Sequence, residues 1–358
     1  MVKEVIAGFD AGSTEVRLYD GSRMIRLPSV LSKETARARG LEAEGVLGQE
    51  NPGRVEGSTL KVKRAAGGAT YLLGAEAHGG TNPRALADGS KDDPDVQLFL
   101  DAALGELADG DAEIKAHVAT HCPMGEWLEG HRRESIKRLL EGRRTLIVGS
   151  RQVAVDVSVL EVGPEAVPVL YFLQARRELR KGTAYKVANF GGFSLDAGYI
   201  AGNLVQASHS RHFEGGLDTA RVEAVADHLV RNGLFGVSRS RIRSAIVRGS
   251  NRYVHENMQV IDFSAVLEEA EEDYARQKIA DLTALWRNVP ADQVVVDGGA
   301  TTPLIMGKLL HQYPKATVVP EHLARLSHVM GLYHRAVSLH ERAAEKHPKP
   351  GAKEASRA

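Results

Sequence analysis

Two segments that lie far apart in this chain repeat one pattern: an apolar run that ends in the sequence Asp-x-Gly and is followed by a second apolar run. In the first, residues 3–9 lead into residues 10–12, and in the second, residues 186–195 lead into residues 196–198; both Asp-x-Gly triplets read Asp-Ala-Gly. An internal repeat of this kind predicts two similar α/β halves that face one ligand, with a hairpin loop at each Asp-x-Gly. Chance recurrence in a chain with 36 glycines is the alternative.

The residues of the first repeat have the chemistry of a phosphate-binding loop. The Val, Ile and Phe of residues 3–9 are typical of a buried strand, so Asp10 follows where that strand ends. Gly12 lets the backbone turn and approach a ligand, and Ser13 and Thr14 offer hydroxyl and N–H groups to phosphate oxygens. The Asp10 carboxylate can hold the water shell of Mg²⁺. The same letters are also typical of a plain hairpin turn, in which the acid only caps the turn.

A third glycine-rich segment follows another apolar run, late in the chain. Residues 293–297 predict a strand, and Gly298, Gly299 and Ala300 follow it. Backbone at such a junction between a strand and a helix can lie against a flat ring or a phosphate. For Thr302, just beyond, the sequence favours capping of the next helix over contact with a ligand.

Composition excludes several classes of protein. The 358 residues, 43% of them hydrophobic, suffice for two domains with a large core. The formal net charge is zero, so we expect no direct nucleic-acid binding. Cys122 is the only cysteine, which excludes an internal disulfide and fits a reducing cytosol. With no leader-like segment and no apolar run long enough to span a bilayer, we expect a cytoplasmic protein without membrane contact.

Apolar periodicity and turn signals predict alternating strands and helices. Asp20 and Gly21 predict a hairpin. Residues 33–59 lack periodicity and predict a surface insertion. The other predicted elements are strands at residues 3–9, 15–20, 23–27, 61–73, 114–120, 186–195, 200–205 and 293–297, strand and turn material at 142–147, 153–162 and 167–172, and helices at 95–107, 127–140, 218–229 and 262–286.

In their order along the chain, these motifs resemble those of the superfamily that contains actin, sugar kinases and heat-shock chaperone ATPases, and within it the plasmid-segregation ParM and archaeal actin-like branch. The first phosphate loop of that branch is similar to residues 10–14 with Arg17 behind them. Further similar segments are residues 28–29, 71–77, 120–124, 163–168, 298–299 and 320–331, so the resemblance extends over residues 3–340.

The resemblance implies an α/β, two-domain actin-like ATPase fold, made of duplicated ribonuclease-H-like domains with a nucleotide cleft between them. Domain I would cover residues 1–185, with residues 28–94 as a small outer subdomain and residues 325–342 packing back on it. Domain II would cover residues 186–324, and residues 343–358 would form a flexible tail.

The resemblance also implies roles for single residues. Asp10 and Asp196 would hold Mg²⁺ through water, and Asp196 would orient the water that attacks the γ-phosphate, with Glu165 as its partner in catalysis. Alternatives are a solvent carboxylate for Glu165 and a surface helix position for Glu223, and His121 is expected to be packed rather than catalytic. The implied nucleotide contacts are Asp10, Gly12, Ser13, Thr14, Arg17, Asp196, Gly198, Gly215, Gly216, Glu223, Gly298, Gly299, Ala300 and Thr302.

One departure from the family concerns the second repeat. There the family usually continues Asp-x-Gly with Gly and Thr and then an acid, whereas Gly198 is followed here by Tyr199, and Asn203 stands where the acid is expected. Slow hydrolysis or an altered nucleotide preference would follow from the missing hydroxyl.

The function implied is that of a filament-forming protein that binds and hydrolyses ATP, or alternatively GTP, with Mg²⁺. Self-association would serve plasmid or DNA segregation through a DNA-bound adaptor protein, or another cytoskeletal role. A monomeric phosphotransferase similar to sugar kinases is the main alternative, and a nucleotide-dependent reactivase or chaperone module is a third. Nucleotide-triggered polymers favour the first hypothesis, and sugar-stimulated ATP turnover favours the second.

Overall fold

The computed structural model describes residues 2–34, 59–65, 68–79, 81–86, 91–180, 182–247, 249–255 and 259–346. Most of the predicted insertion at residues 33–59 and most of the predicted tail therefore lie outside the described residues. The chain forms two compact units. Unit 1 contains Met1–Cys122, Glu126–Leu179 and Leu326–Ala358, and unit 2 contains Pro123–Gly125 and Arg180–Arg325.

Strands and helices are mixed in both units. The strands are β1 (Val2–Ala11), β2 (Glu15–Tyr19), β3 (Met24–Pro28), β4 (Val30–Lys33), β5 (Thr59–Arg64), β6 (Thr70–Gly74), β7 (Thr81–Ala85), β8 (Glu113–Cys122), β9 (Gly142–Val148), β10 (Arg151–Pro164), β11 (Ala184–Phe190), β12 (Ser194–Ala201), β13 (Leu204–Val205), β14 (Arg211–Glu214), β15 (Arg252–Val254), β16 (Val260–Asp262), β17 (Gln293–Asp297) and β18 (Thr317–Val318). The α-helices are α1 (Pro94–Leu107), α2 (Met124–Glu129), α3 (His131–Leu140), α4 (Pro168–Ala175), α5 (Leu217–Arg231), α6 (Arg239–Val247), α7 (Ser264–Leu285), α8 (Pro303–Gln312), α9 (Glu321–Ala324) and α10 (Ser327–Lys346).

Unit 1 is built on a ten-stranded sheet in the order β3-β2-β1-β8-β10-β9-β5-β6-β4-β7. Its central strands β1, β8 and β10 run parallel to one another. The last five residues of β1 and of β8 are all buried, as expected for parallel strands that are covered on both faces. Because parallel strands end at the same edge of a sheet, the last residues of β1, β8 and β10 lie together there.

The predicted hairpins at the start of the chain are confirmed. β1, β2 and β3 pair antiparallel in sequence. The turn between β2 and β3 has Gly21 at φ +92, and the Asp20 carboxylate accepts hydrogen bonds from the backbone N–H groups of Ser22 and Arg23. Only glycine adopts such a φ without strain, which is why Asp20-Gly21 marked this turn in the sequence.

Helix α10 packs on one face of the unit 1 sheet, and two glycines allow the close approach. A Cβ atom on Gly8 would overlap the backbone of Val329 and Tyr333, and one on Gly331 would overlap the carbonyl of Pro168 on α4. The backbones of β1, α10 and α4 therefore approach more closely than any side chain allows. Helix α10 also continues to Lys346, past the predicted start of the tail at residue 343.

The prediction of strand or turn at residues 167–172 was wrong, since these residues begin helix α4. Pro168 occupies the first turn of the helix, and Val169, Leu170, Phe172 and Leu173 are all buried. A short run of apolar residues without alternation does not distinguish a buried helix from a buried strand. The single helix predicted at residues 127–140 is also divided, because Gly130 at φ +76 separates α2 from α3.

Unit 2 has a six-stranded sheet in which β13, β12, β11, β17 and β18 follow in that order and β14 also pairs with β12. β11 is parallel to β17 and antiparallel to β12. One core packs on this sheet around Phe190, Tyr274 and Trp286. A second core, around Leu229, Tyr253 and Phe263, joins α5 and α6 to a separate two-stranded sheet of β15 and β16.

The second Asp-x-Gly does not form a hairpin turn, and this part of the sequence prediction was wrong. Asp196, Ala197 and Gly198 lie inside β12, where Asp196 pairs with Asn189 and Gly198 with Val187. The turn lies earlier, at residues 191–193 between β11 and β12. The predicted strand at residues 186–195 spanned this turn, because its two glycines were interpreted as an interruption.

We expect Gly331→Ala to lower the free energy of unfolding by about 1–3 kcal/mol or more, because the added methyl group overlaps backbone that side-chain movement cannot relieve. Gly307→Ala is the matched control, since Gly307 lies on helix α8 with nothing within 4 Å of its Cβ position. Gly307→Ala should raise the free energy of unfolding by about 0.5–1 kcal/mol. Urea unfolding of both variants tests this, and equal effects would contradict the close approach of α10.

Candidate functional site

Three polar residues gather at the edge of the unit 1 sheet where its parallel strands end. Asp10 lies at the end of β1, His121 at the end of β8, and Glu165 directly after β10. The His121 Nε2 atom lies 2.9 Å from Asp10 Oδ1, and its Nδ1 atom lies 3.9 Å from Glu165 Oε2. The backbone N–H of Glu165 donates to the Cys122 carbonyl at 2.9 Å. One imidazole ring thus stands between two carboxylates.

Asp10 is a buried carboxylate that is kept ionised by its neighbours. Arg17 donates to its Oδ2 atom at 2.9 Å, while His121 contacts Oδ1. Burial alone would raise the pKa of the Asp10 carboxyl, but the hydrogen bond and charge of His121, with the charges of Arg17 and Lys91, hold that pKa far below its ordinary value. Arg17 is itself held by Glu15, whose Oε2 accepts from Arg17 Nε at 2.6 Å.

The turn that follows Asp10 is fixed from several sides. Lys91 donates to the Ala11 carbonyl, and Ser29 donates through its hydroxyl to the Gly12 carbonyl and through its N–H to the Thr14 carbonyl. A Cβ atom on Gly12 would lie 2.6 Å from the Glu15 carbonyl oxygen, so the turn requires glycine there. The turn is therefore held in one shape by the protein itself.

The side chains of this turn are available to a ligand. Thr14 is exposed and Ser13 is partly exposed. Within the described part of the chain, neither hydroxyl forms a hydrogen bond. Two free hydroxyls beside an ionised carboxylate on a fixed turn are suited to phosphate oxygens and a hydrated cation.

The contact between His121 and Asp10 was not predicted from the sequence. His121 was expected to be packed, and it is 2% exposed, but its ring also binds Asp10. The parallel pairing of β1 with β8, in which Gly8 lies opposite Ala119, brings residue 121 beside residue 10. That pairing was the signal that could have revealed the contact, and it requires knowing that β1 and β8 are neighbours.

The hairpin of unit 2 repeats the geometry of the hairpin of unit 1, with different residues. Asp10 is the last residue but one of β1 and lies opposite Arg17. Asn189 is the last residue but one of β11 and lies opposite Asp196. Each hairpin then has a three-residue turn. By position, Asn189 therefore corresponds to Asp10, and Asp196 corresponds to Arg17.

The turn at residues 191–193 packs against the start of helix α5. A Cβ atom on Gly216 would overlap the backbone of Gly192 and Phe193, and the N–H of Asp218 donates to the Gly192 carbonyl at 2.8 Å. Burial raises the pKa of the Asp218 carboxyl, against the opposing charges of three nearby arginines. The predicted contact residues Gly215 and Gly216 thus lie beside the second turn.

The loop after β17 meets the end of β11 as well. Gly298 has φ +111, and a Cβ atom there would overlap the backbone of Phe190. Ala300 donates through its N–H to the Phe190 carbonyl at 3.0 Å. The Thr302 hydroxyl caps helix α8 by accepting from the N–H of Ile305, as the sequence favoured. In unit 2, residues 191–193, 215–216 and 298–300 therefore surround the end of one strand.

Two other predicted residues have partners within the protein. Glu223 on α5 accepts a two-point hydrogen bond from Arg239 at 2.7 Å. Asp196 is fully buried, and its oxygens accept from the Met124 N–H at 2.7 Å and the Ser194 hydroxyl at 3.2 Å and lie 3.0 Å from His212 Nδ1. Asp196 thereby fixes the segment Pro123–Gly125 and the His212 ring within unit 2.

The donor set fits a cation held through water. No group of three or more His, Cys, Asp or Glu residues in the described ranges is arranged to hold a metal ion. A carboxylate offers about four acceptor positions, and two of those of Asp10 are taken by Arg17 and His121. The others can accept hydrogen bonds from the water shell of Mg²⁺, which dehydrates reluctantly.

Comparison with known proteins identifies the fold. The family described as "Actin like proteins N terminal domain" matches residues 8–167. No curated protein matches the sequence. Among the described helices, none is both long enough and apolar enough to cross a bilayer.

Solved structures match the chain along most of its length. The archaeal actin homologue Ta0583 has a TM-score of 0.73 at 16% identity, covering 93% of this chain and 99% of its own. Its complex with ADP gives 0.70, with the same identity and coverage. ParM of a 15-stranded filament from Clostridium botulinum gives 0.70 at 14% identity, covering 94% of this chain and 99% of its own. The predicted α/β, two-domain actin-like fold is thereby confirmed.

We expect His121→Ala to lower the free energy of unfolding by about 1–3 kcal/mol, because it leaves a buried Asp10 oxygen without its partner. His117→Ala is the matched control, since His117 also lies on β8 and contacts a β1 acid, the exposed Glu4, at 3.1 Å. His117→Ala should lower the free energy of unfolding by less than about 1 kcal/mol. Chemical unfolding of both variants tests this, and equal losses would show that the Asp10 contact adds nothing.

Proposed function

We propose that this chain is a member of the actin-like superfamily, in the branch of ParM and the archaeal actin homologues, that it binds and hydrolyses ATP with Mg²⁺ and that it assembles into filaments. The observation that carries the proposal is the fixed turn of residues 10–14, which combines an ionised Asp10 with the solvent-accessible hydroxyls of Ser13 and Thr14. A preformed turn of this kind binds phosphate without first having to be ordered.

In unit 1 we assign binding and catalysis to separate groups. Ser13 and Thr14 bind phosphate oxygens, and Asp10 holds the cation through water, with Arg17 and His121 fixing its orientation. When bound with the nucleotide, Mg²⁺ supplies positive charge that offsets the charge developing on the phosphate. Glu165 is the residue we assign to orienting the attacking water. It lies at the same sheet edge as Asp10, and the His121 ring stands between the two carboxylates.

In unit 2 we assign nucleotide binding to the backbone around the end of β11. Gly215, Gly216, Gly298, Gly299 and Ala300 remain the proposed contacts with the nucleoside, as in the sequence prediction. The turn at residues 191–193 joins them as a phosphate contact, because it corresponds by position to residues 12–14. Its N–H groups can bind phosphate oxygens without a side-chain hydroxyl.

Asp196 remains a proposed second acid of the reaction. Its contacts with His212 and Met124 indicate that it acts by positioning these two residues. Both of its oxygens are already hydrogen-bonded within unit 2. Asp196→Asn keeps one acceptor oxygen. If Asp196→Asn hydrolyses ATP as fast as wild type, Asp196 only holds residues 123–125 in place and takes no part in catalysis.

Filament formation is supported by the relatives with this fold. ParM from Clostridium botulinum forms a 15-stranded filament, and Alp12 also forms filaments. A role in plasmid or DNA segregation through a bound adaptor is our proposal for the biological use of such filaments, with the cytoplasm as its location.

High-speed sedimentation with Mg²⁺ and ATP, GTP, ADP or no nucleotide tests the proposal when phosphate release is followed in the same samples. We expect pelleting with a nucleoside triphosphate and phosphate release from the pelleted protein. A monomer that hydrolyses ATP only when a sugar is added would establish the phosphotransferase instead.

For Glu165→Gln we expect phosphate release to fall by about 10²–10⁴-fold, because the amide cannot accept a proton from water. Nucleotide binding and pelleting should persist. Glu178→Gln is the control, since Glu178 is an exposed unit 1 carboxylate paired with Arg176, and its turnover should equal that of wild type. Unchanged hydrolysis in Glu165→Gln would remove Glu165 from the mechanism.

A further inference from the structure

One group of apolar side chains in unit 2 lies exposed to solvent. Phe235 is 82% exposed, although Phe172, Phe190 and Phe263 are almost fully buried. Val254 and Val260 are each about half exposed and pair directly across β15 and β16. His255, next to Val254, contacts the Phe235 carbonyl through Nε2 at 3.0 Å. Phe235, Val254 and Val260 therefore form one patch, which we call the Phe235 patch.

The Phe235 side chain is held outward by the residues around it. Leu234 is buried in the core with Leu229 and Phe263. The Phe235 carbonyl is fixed by His255, and the N–H of Ser238 donates to the Tyr253 hydroxyl at 3.2 Å. These contacts fix the backbone at and after Phe235. A large aromatic side chain that is fixed in the exposed position is typical of an anchor at a protein interface.

The segment that carries the patch has more basic than acidic residues. Residues 231–262 contain six arginines and two acids, Glu256 and Asp262. Arg239 is paired with Glu223, and Arg243 stacks on Phe193. Arg241 is exposed and forms no ion pair within the described residues, whereas the exposed Arg252 lies opposite Asp262 across β15 and β16. The patch therefore fits a partner surface that carries carboxylates.

A surface of that kind exists on the same chain. Residues 268–273 of helix α7 contain five acids. Glu271 and Glu272 are paired with Arg221 and Lys308, whereas Glu268 and Glu269 are exposed and form no ion pair with any described residue. The two surfaces lie on fixed elements of unit 2 and do not pair with each other in one molecule.

We propose that the Phe235 patch binds the acidic face of α7 on a second copy of this chain. Because the two surfaces differ, the contact is heterologous. In a pair, one copy keeps its acidic face free and the other keeps its Phe235 patch free, so that further copies can add at both ends. Such a contact repeats without closing unless the rotation forms a ring. This inference rests on the proposed function, since it names the surfaces through which the filament would grow.

Sedimentation of the full-length Phe235→Ala variant with Mg²⁺ and nucleotide tests the patch. We expect the critical concentration to rise by about 30-fold, as for loss of an interface anchor, with the affinity for nucleotide unchanged. Leu204→Ala, on β13 of unit 2, is the matched control, because Leu204 is also an exposed apolar residue. A Phe235→Ala variant that pellets at the wild-type concentration would overturn the inference and leave the filament proposal intact.

Charge reversal identifies the partner surface. Arg241→Glu should raise the critical concentration, and adding Glu268→Arg or Glu269→Arg to it should lower that concentration again. Absence of rescue by either exchange would exclude α7 as the partner. If wild type forms no polymer, the filament proposal fails, and sedimentation velocity then decides the inference: dimers of wild type that are lost in Phe235→Ala support it, and monomers of both contradict it.

Discussion

The candidate site depends on one buried carboxylate, Asp10, and on the two side chains that keep it ionised. A buried acid without partners would take up a proton, because burial disfavours the ionised form. Arg17, from the neighbouring antiparallel strand, and His121, from the neighbouring parallel strand, each bind one oxygen of Asp10. This arrangement requires β1 to lie between β2 and β8 with its carboxyl end at the edge of the sheet. The order of the strands in the first hairpin and in the parallel part of the sheet is therefore what brings the partners of Asp10 to its two oxygens.

The same hairpin geometry occurs twice, but the chemistry does not. In unit 2 the neutral Asn189 stands where unit 1 has Asp10, and the buried Asp196 stands where unit 1 has Arg17. The unit 1 hairpin therefore presents an ionised acid and hydroxyls, whereas the unit 2 hairpin presents glycine backbone. Helix α5 and the loop at Gly298 pack against that backbone. We infer that the cation belongs to the unit 1 hairpin and that unit 2 acts mainly through N–H groups.

The sequence predicted much of the fold and the place of Asp10 at the end of a strand, but not the contacts that define the candidate site. Local signals were sufficient for the hairpin at Gly21 and for Asp10, because turn residues and strand ends act over a few positions. The true second turn was missed, since the letters at residues 196–198 matched the first motif better than residues 191–193 did. Helix α4 was missed because its apolar run is short. The contact of His121 with Asp10 depends on strand order, which no local pattern contains.

Calorimetric titration of ATP, with and without Mg²⁺, into wild type and Asp10→Asn tests whether the Asp10 carboxylate holds the cation. We expect Mg²⁺ to strengthen ATP binding to wild type and most of this gain to be lost in the variant, because the amide has no charge to hold the water shell of the cation. Equal ATP affinities in both proteins, each unaffected by Mg²⁺, would contradict the assignment of Asp10 and with it the account of the unit 1 turn.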